Sequence, residues 1–402
     1  MIILVLNCGS SSIKYQVIDM NSATENNLLA KGLVERIGLT DGVLVHKPTD
    51  KPQYEFVKSI PDHTVGINMI LSAIVDAQHG VIESLNDLNA VGHRVAHGGE
   101  YFVDSAIVTP TVKQQIESCF ELAPLHNPAN LKGILAIENL LPSIQQIAVF
   151  DTSFHQTMPR ESYLYGIPYK YYEEYRIRKY GFHGTSHKFV AKKACDQLGL
   201  DLENSKIITC HIGNGASVTA ILNGKSYNTS MGFTPVDGLL MGTRCGEVDP
   251  GALLYIADKE GLNANRISNL MNKESGLVGI TGISSDMRDI TKAASEGNER
   301  AKIAIKMFDK RVKKFIGAYA AEMGGVDLVI FTGGIGEHNR PFRKAVLENM
   351  EFLGIEFDEA ANEEAYGIDK VITKAGSKVT AMAVTTNEEL VIALDTFRLL
   401  RN

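Results

Sequence analysis

The chain has no basic surplus: 40 Lys and Arg stand against 47 Asp and Glu in 402 residues, a formal net charge of −7. A general nucleic-acid coat needs the opposite balance and is disfavoured, whereas a local cationic pocket for an anionic substrate is not. No apolar run approaches the ~18 residues of a membrane helix. Met1–Leu6 is apolar only as far as Asn7, with no basic stretch before it, so it reads as a buried strand and not a signal peptide. Cysteine is scarce, at 8, 119, 195, 210 and 245, and forms no CxxC pair. That spacing offers neither a disulfide framework nor a zinc site, and points to free thiols in a reducing cytoplasm. GxxxxGK[ST] is missing, which excludes a P-loop enzyme. What is present, 44% hydrophobic and 22% charged residues, is ordinary for a globular protein with a real core, and the length suggests two or three domains.

Apolar and alternating runs at 2–7, 13–19, 30–37, 42–46 and 53–58 predict strands, with Gly9 and Ser10–Ser12 as the first turn. Helical spacing follows near 63–79, then a strand at 89–95, helices near 111–122 and 128–140, and a strand at 145–150. Strands first, then alternating helix and strand, point to an α/β domain with helices on a mixed sheet. The pattern then restarts. Helix 185–198 leads to strands 206–211 and 216–222, and helices near 251–260, 263–273 and 298–323 follow. Strand 326–332, helix 340–350, a strand near 378–384 and helix 387–400 close the chain. ILVLNCGSSSIKYQV (3–17) can be laid beside ITCHIGNGASVTAI (208–221) with one residue of slip. Each copy is an apolar strand, a polar end residue (Asn7, His211), a Gly two later, small turn residues and an alternating strand. This predicts a duplicated domain with a cleft between the halves, divided as 1–151 plus 386–402 and 152–385.

The loops carry the chemistry. Asn7-Cys8-Gly9-Ser10-Ser11-Ser12-Ile13-Lys14 is either a plain Ser-rich hairpin or a nest for phosphate oxygens, with Lys14 adding charge and Asn7 an oxygen for a hard cation. His211-Ile212-Gly213-Asn214-Gly215 repeats that geometry in the second half. Gly333-Gly334-Ile335-Gly336-Glu337 follows an apolar strand without the GxGxxG order of dinucleotide sites; its missing Cβ atoms admit a base or a ribose. Arg94 in GHRVAHGG (92–99) and Arg244 in MGTRCGE (241–247) sit among small residues, as structural ion pairs or as forks for carboxylate and phosphoryl oxygens. Asp151 ends a buried strand, where open α/β sheets keep ligands, but also suits a cap. His183 lies in a Gly-flanked turn, and His187 falls inside the next helix. Thr386 or Asn387 suits an N-cap, with Glu388 and Glu389 in the first turn.

With PLHNP (124–128), FDTSFH (150–155), YGFHGTSH (180–187), FTGGIGE (331–337) and TNEEL (386–390) added to these loops, the whole chain resembles the acetate and short-chain carboxylate kinases. That family shares its fold with actin, the sugar kinases and the heat-shock-protein-70 ATPases. The resemblance implies an α/β fold of two duplicated actin-like ATPase domains, each a mixed sheet flanked by helices, with the active site in the cleft between them. It implies Asp151, His183 and Arg244 as catalytic residues and Arg94 as the carboxylate anchor. Val95, Leu125, Phe182 and Pro235 would form an apolar pocket for the methyl group. Ser10, Ser12 and Lys14 match the first phosphate loop. Three segments match the nucleotide site: His211, Ile212, Gly213, Asn214 and Gly215; Asp286, Met287 and Arg288; and Gly334, Ile335, Gly336, Glu337 and His338. Asn7 and Glu388 match the Mg²⁺ positions, with Mn²⁺ as the alternative.

The implied reaction is reversible in-line phosphoryl transfer from ATP to acetate, giving ADP and acetyl phosphate. The implied protein is a cytoplasmic homodimer joined through its second domain, with no nucleic-acid or membrane partner. Acetate is already ionised, so Asp151 is expected to hold Mg²⁺ through water or to orient Arg244, not to act as a base. His338 replaces the family's usual Asn, and Cys245 and Glu247 replace Ser and Asp; Cys245 marks a candidate thiol-sensitive position. A propionate or other short-chain carboxylate kinase is the nearest alternative. An actin-like or chaperone-like ATP-binding conformational protein is the alternative from another class.

Overall fold

An unbroken apolar run such as Ile3–Leu6 needs cover on both faces. In the computed structural model, which describes residues 1–401, that run lies in β1 (Ile2–Cys8). The chain divides into two units: Met1–Gln156 with Asn387 onward, and Thr157–Thr386. Strands of the first unit are β1, β2 (Ser12–Met20), β3 (Asn26–Glu35), β4 (Gly42–Pro48), β5 (Tyr54–Lys58), β6 (Leu88–Val95), β7 (Ala106–Ile107) and β8 (Gln145–Phe150). They lie in the order β5-β4-β3-β2-β1-β6-β8-β7. Its helices include α1 (His63–Ile74), α2 (Pro110–Ser118) and α3 (Asn127–Leu140). Leu4 and Leu6 pack with Ile67 and Ile70 of α1 and Ile137 of α3. Ile3 and Val5 face Ile392, Ala393 and Phe397 of the last helix, Glu388–Arg401. Each such side chain contributes about 1.5–3 kcal/mol by burial, so a polar residue within Ile3–Leu6 would be costly.

The second unit contains β9 (Lys206–Ile212), β10 (Ala216–Leu222), β11 (Lys225–Thr229), β12 (Leu328–Thr332), β13 (Lys370–Val371) and β14 (Thr380–Ala383), in the order β11-β10-β9-β12-β14-β13. Its helices are α4 (Arg160–Tyr163), α5 (Lys170–Tyr175), α6 (Gly184–Leu198), α7 (Pro250–Glu260), α8 (Ala264–Lys273), α9 (Gly276–Thr281), α10 (Met287–Ser295), α11 (Glu299–Glu322), α12 (Gly333–His338), α13 (Arg340–Leu347) and α14 (Glu359–Glu364). The last helix of the chain, in the first unit, is thus α15 (Glu388–Arg401). Helix α11 begins at the Asn298 cap, whose side chain accepts from the Ala301 N–H at 3.0 Å. Its Ala301, Ala304, Phe308, Val312, Ile316 and Ala320 recur every three or four residues and bury one stripe against β9 and β10.

Both sheets run from an antiparallel meander into parallel strands: β3-β2-β1-β6-β8 in one and β11-β10-β9-β12-β14 in the other. The expected duplicated α/β architecture, a mixed sheet flanked by helices in each unit, is therefore present. The one-residue slip has a physical origin. Cys8 pairs with Ile13, whereas Ile212 pairs with Ala216, so the first hairpin turn is one residue longer.

Several boundaries differ from expectation. The helix expected to reach residue 79 stops at Ile74, because the Asp76 carboxylate takes the N–H groups of Gln78 and His79 and turns the chain. The helix expected to reach 122 ends at Ser118. The segment 333–338, expected as a loop, is the short helix α12. The passage from first to second unit falls after Gln156, since Thr157 Oγ1 donates to the Ser226 carbonyl at 3.0 Å. The return falls before Asn387, whose side chain accepts from the Leu390 N–H at 3.0 Å and caps α15. Among the described residues no helix is long and apolar enough to cross a membrane.

Candidate active site

In the first unit, parallel strands β1, β6 and β8 bring Asn7, Arg94 and Asp151 together. Arg94 Nε donates to Asp151 Oδ1 at 3.2 Å, Nη2 donates to Oδ2, and Nη1 reaches Asn7 Oδ1 at 3.4 Å. The Asp151 side chain is 2% exposed and that of Arg94 23%. Burial pushes the Asp151 carboxyl up, the Arg94 charge opposes this, and the neighbouring Glu388 charge adds to the rise. Burial pulls the Arg94 guanidinium down, but the charges of Asp151 and Glu388 outweigh it and hold it above its ordinary value. Two charge-assisted donors on one carboxylate oppose that rise. Arg94 thus engages both oxygens of Asp151 within the first unit.

The strand ends are tied by side chains that the sequence reading passed over. Asn130 on α3 accepts from the Ala96 N–H at 3.0 Å and donates to the Cys8 carbonyl at 2.7 Å, bridging the chain beyond Arg94 and the chain beyond Asn7. Asn127 accepts from the His97 N–H at 3.0 Å and donates to its carbonyl at 2.8 Å. His63 Nε2 lies 2.7 Å from the Gly9 carbonyl, and Gly9 N–H donates to the Ser12 carbonyl at 2.8 Å. Beyond this tied hairpin, Ser10 and Lys14 are exposed and Ser12 is half-buried.

Among the described residues no three His, Cys, Asp or Glu side chains form a metal-binding group. Asn7, Asp151 and Glu388 instead offer an amide oxygen and two carboxylates, and Glu388 already bears electrostatically on Asp151. Mg²⁺ keeps several waters and takes one or two carboxylates plus substrate phosphates, so this donor set fits it.

In the second unit His183 opens α6 in the left-handed conformation, φ +58°, so its side chain does not cap the helix. A non-glycine residue there stores about 1–2 kcal/mol, a strain that aims the ring elsewhere. Its Nδ1 lies 2.9 Å from Ser217 Oγ, which is also 2.7 Å from His187 Nε2. The His183 ring stacks on His211, centroids 4.3 Å apart, and His211 Nδ1 lies 2.8 Å from Ser186 Oγ. A Cβ on Gly215 would sit 3.3 Å from Arg244 Nη1 and 3.6 Å from His183 Nε2, so Gly215, Arg244 and His183 converge. Arg244 has no ion pair among the described residues; Nη1 reaches only the Pro235 carbonyl at 3.5 Å and Met241 Sδ at 3.7 Å. Burial alone pulls it below its ordinary value. The loop approaches so closely that a Cβ on Gly242 would collide with Asn214 Oδ1.

A cavity of about 900 Å³ gathers the three expected nucleotide segments: Gly213 and Asn214, Asp286–Arg288, and Gly334, Ile335 and His338. Asp286 caps α10 through the Arg288 N–H at 2.8 Å and pairs with the Arg288 guanidinium at 2.6 Å, which holds its carboxyl down at about 2. Asn339, Arg340 and Tyr366 also line the cavity and were not foreseen. The signal for Tyr366, an exposed aromatic beside Gly367, was present but not distinctive.

Other expected residues are placed as follows. Val95 alternates away from Arg94 along β6 and packs with Phe102, Ile116, Ile134 and Phe150. Ile212 is wholly buried in the second core. The back of Gly336 lies against Phe331, where a Cβ would sit 3.3 Å from its carbonyl carbon. Glu337 Oε1 accepts from the N–H groups of Gly333 at 3.0 Å and Thr386 at 3.1 Å, fixing the β12–α12 corner. Gly333 turns that corner at φ +77°, with Ile212 backbone where a Cβ would be. Leu125 is 65% exposed in the first unit, while Phe182 is buried and Pro235 half-buried in the second. Burial pushes the Cys245 thiol up, which disfavours the reactive thiolate. Glu247 is spent on Arg311 at 3.1 Å and Lys314 at 2.6 Å.

The Acetokinase family model matches residues 2–394. The chain is 51% identical over 400 residues to an acetate kinase of Caldanaerobacter subterraneus subsp. tengcongensis, covering 99% of each. It is 53% identical over 400 residues to an acetate kinase of Parabacteroides distasonis, again covering 99% of each. The crystal structure of Porphyromonas gingivalis acetate kinase is similar with a TM-score of 0.96 at 51% identity, covering 99% of both chains. That of a propionate kinase from Francisella tularensis subsp. tularensis is similar with a TM-score of 0.89 at 40% identity, covering 98% of both. With the family match and the structural likeness both running the length of the chain, this protein belongs to the acetokinase family.

Proposed function

We propose that the chain transfers the γ-phosphoryl group of ATP reversibly to acetate, giving acetyl phosphate and ADP. The observation that carries this is Arg244: half-buried, without an ion pair among the described residues, and converging with His183 on Gly215. Its loop neighbours Gly213 and Asn214 line the 900 Å³ cavity. A cation so placed awaits an anion, and a phosphoryl group leaving a nucleotide in that cavity supplies one.

The acid is already a carboxylate, so one of its oxygens attacks phosphorus directly. The P–O bond to the β-phosphate breaks, ADP departs with that electron pair, and no proton moves. The barrier is repulsion between two anions. Arg94 meets the acid through its loosely held Nη1, because Nε and Nη2 are committed to Asp151. Arg244 and His183 take charge developing on the equatorial oxygens, and backbone donors with Lys14 steady the phosphates. Mg²⁺, held by Asn7, Asp151 and Glu388 with water, would neutralise phosphate charge when bound. Asp151 acts by orienting Arg94 and bearing on the metal, not as a base.

Propionate is the second candidate acid, favoured by the likeness to a propionate kinase. Hydroxylamine trapping of acyl phosphate, run with acetate, propionate and butyrate, tests both. The reading requires ATP- and acid-dependent hydroxamate, and ATP turnover independent of acid would sink it. The protein works as a cytoplasmic homodimer in this reading. Exposed Leu254 and Tyr255 on α7, which has no buried residues, support a second-unit contact, and light scattering would report it.

A further inference from the structure

Arg343, on α13, is 0% exposed and heads the fully buried side chains by volume among the described residues. No carboxylate is ion-paired with it there. Its fork is filled by helix ends. Nη1 donates to the carbonyls of Gly336 at 2.7 Å and Glu337 at 3.0 Å, at the end of α12. Nη2 donates to the carbonyls of Asn362 at 3.3 Å and of Ala365, at the end of α14, and Nε donates to Asn362 Oδ1 at 2.8 Å. Asn362 Nδ2 returns to the Arg340 carbonyl at 3.1 Å.

A buried guanidinium is costly to desolvate, but here it meets helix-end carbonyls that an apolar side chain would leave unpaired. What only a rigid planar fork can do is hold two helix ends at one spacing. Those two ends carry walls of the 900 Å³ cavity: Gly334, Ile335 and His338 belong to α12, and Tyr366 follows Ala365 directly. The two walls touch, His338 meeting the Tyr366 ring edge-on at 5.0 Å between centroids. On α13, Arg340 reinforces the join from the surface, over the Tyr366 ring at 5.1 Å and bonded to the Glu363 carbonyl at 2.9 Å.

We infer that Arg343 is a positioning residue for the nucleotide, which ties α12 to the end of α14 and so sets the spacing of the His338 and Tyr366 walls. This rests on reading that cavity as the nucleotide site. Arg343 touches no reacting atom. Its loss should therefore fall on nucleotide affinity and spare the acid.

The test compares the parent protein with Arg343→Lys, Tyr366→Ala and the double variant. ADP binding is measured by calorimetry, KM for ATP and for acetate and kcat by hydroxamate trapping, and folding by thermal melting. In folded Arg343→Lys, the ADP dissociation constant and KM for ATP should rise roughly tenfold, since a sub-ångström misplacement of binding groups costs up to about 10². KM for acetate and kcat should stay within about twofold, the split expected of lost binding that is uniform along the reaction. Tyr366→Ala should weaken ADP similarly, and the double variant no more than the worse single one, because both act on one wall. Unchanged ADP affinity in folded Arg343→Lys, equal losses for both substrates, or additive singles would overturn the inference. Should Arg343→Lys not fold, the exposed Tyr366 still decides: unaltered ADP affinity in Tyr366→Ala removes the wall that Arg343 is said to hold. A parent protein that binds no ADP overturns the cavity assignment as well. A parent that binds ADP and makes hydroxamate, with variants like it, overturns this inference alone.

Discussion

Arg94→Met removes the cation from a pair that closes two N–H···O contacts on a carboxylate only 2% exposed. Methionine keeps most of the stem and none of the charge. Breaking one side of a buried pair costs about 3–5 kcal/mol because the other charge is left uncompensated. Arg94 itself is 23% exposed, so solvent screens part of the loss and the lower end, about 3 kcal/mol, applies. In a unit of this size each kcal/mol moves the melting midpoint by about 2–4 °C, so roughly 6–12 °C should be lost at pH 7. The pH dependence carries a sign. Burial and Glu388 already push the Asp151 carboxyl up, and without Arg94 it rises further. A carboxyl whose folded value exceeds its unfolded one, near 4, binds its proton more readily in the native state. The penalty is therefore full above the folded value and fades as pH falls toward the unfolded one. Arg94→Met should thus regain part of its deficit between pH 7 and pH 5. Adding Asp151→Asn should restore much of it at pH 7, while hydroxamate formation stays lost in both variants. Differential melting at the two pH values reads this directly. A single variant that melts within about 2 °C of the parent, or a double variant no steadier than the single, would refute an ionised Asp151 held by Arg94.

Arg244→Ala should cut kcat by roughly 10³–10⁵, as for an arginine acting on the transferring group, with far less change in KM for ATP; steady-state kinetics showing under tenfold loss would remove it from the mechanism. Asn130→Ala leaves the buried Cys8 carbonyl and Ala96 N–H unmatched, on the order of 2–4 kcal/mol in melting stability, and should raise KM for acetate more than KM for ATP. Val95→Ala should open a core cavity costing on the order of 2–3 kcal/mol and, with Val95 a member of the proposed acid pocket, raise propionate relative to acetate by about tenfold at most; an unchanged ratio would count against that pocket. His93, buried and bonded to Gln146 Oε1 at 2.8 Å, is held down to about 4 by burial. Its contribution is whole above pH ~6.5 and fades toward pH 4 at about 1.4 kcal/mol per pH unit. Melting curves of His93→Gln should accordingly be flatter with pH than those of the parent.

What the sequence made legible follows from which signals are local. Strand β1 announces itself because both its faces are buried, and the β9–β10 hairpin because it repeats the same order of apolar run, polar end and glycine. Strand β11 went unread although Asn223-Gly224 takes positive φ at both positions, the hairpin signal for two strands joined by a two-residue turn. Helix α10 escapes the sequence pattern: its cap, Asp286, falls in a segment that the resemblance assigns to the nucleotide, and it is both cap and cavity wall. Residue chemistry was legible at Arg94, Asp151, His183 and Arg244; side-chain direction was not. Val95 shows why: one step along a strand reverses the face, so its packing against Phe102 and Phe150 does not follow from its adjacency to Arg94. Glu337 shows a second reason, since a carboxylate beside glycines looks equally like a ligand holder whether its partners are substrate or, as here, the Gly333 and Thr386 N–H groups.

The duplicated hairpins end in different electrostatics. At the first, Asn7 lies opposite Lys14, and the strand beside it delivers a guanidinium already matched to a carboxylate. Glu388 adds its charge beside that pair, so the cation there is more than matched. At the second, His211 lies opposite Ser217, and the neighbours are hydroxyls and imidazoles, with no carboxylate paired to Arg244 among the described residues. An uncompensated cation in a half-buried loop is unfavourable until an anion arrives. In the proposed mechanism the paired arginine serves the acid and the unpaired one the transferring phosphoryl group, so a permanent acidic partner beside Arg244 would remove the cation that mechanism needs.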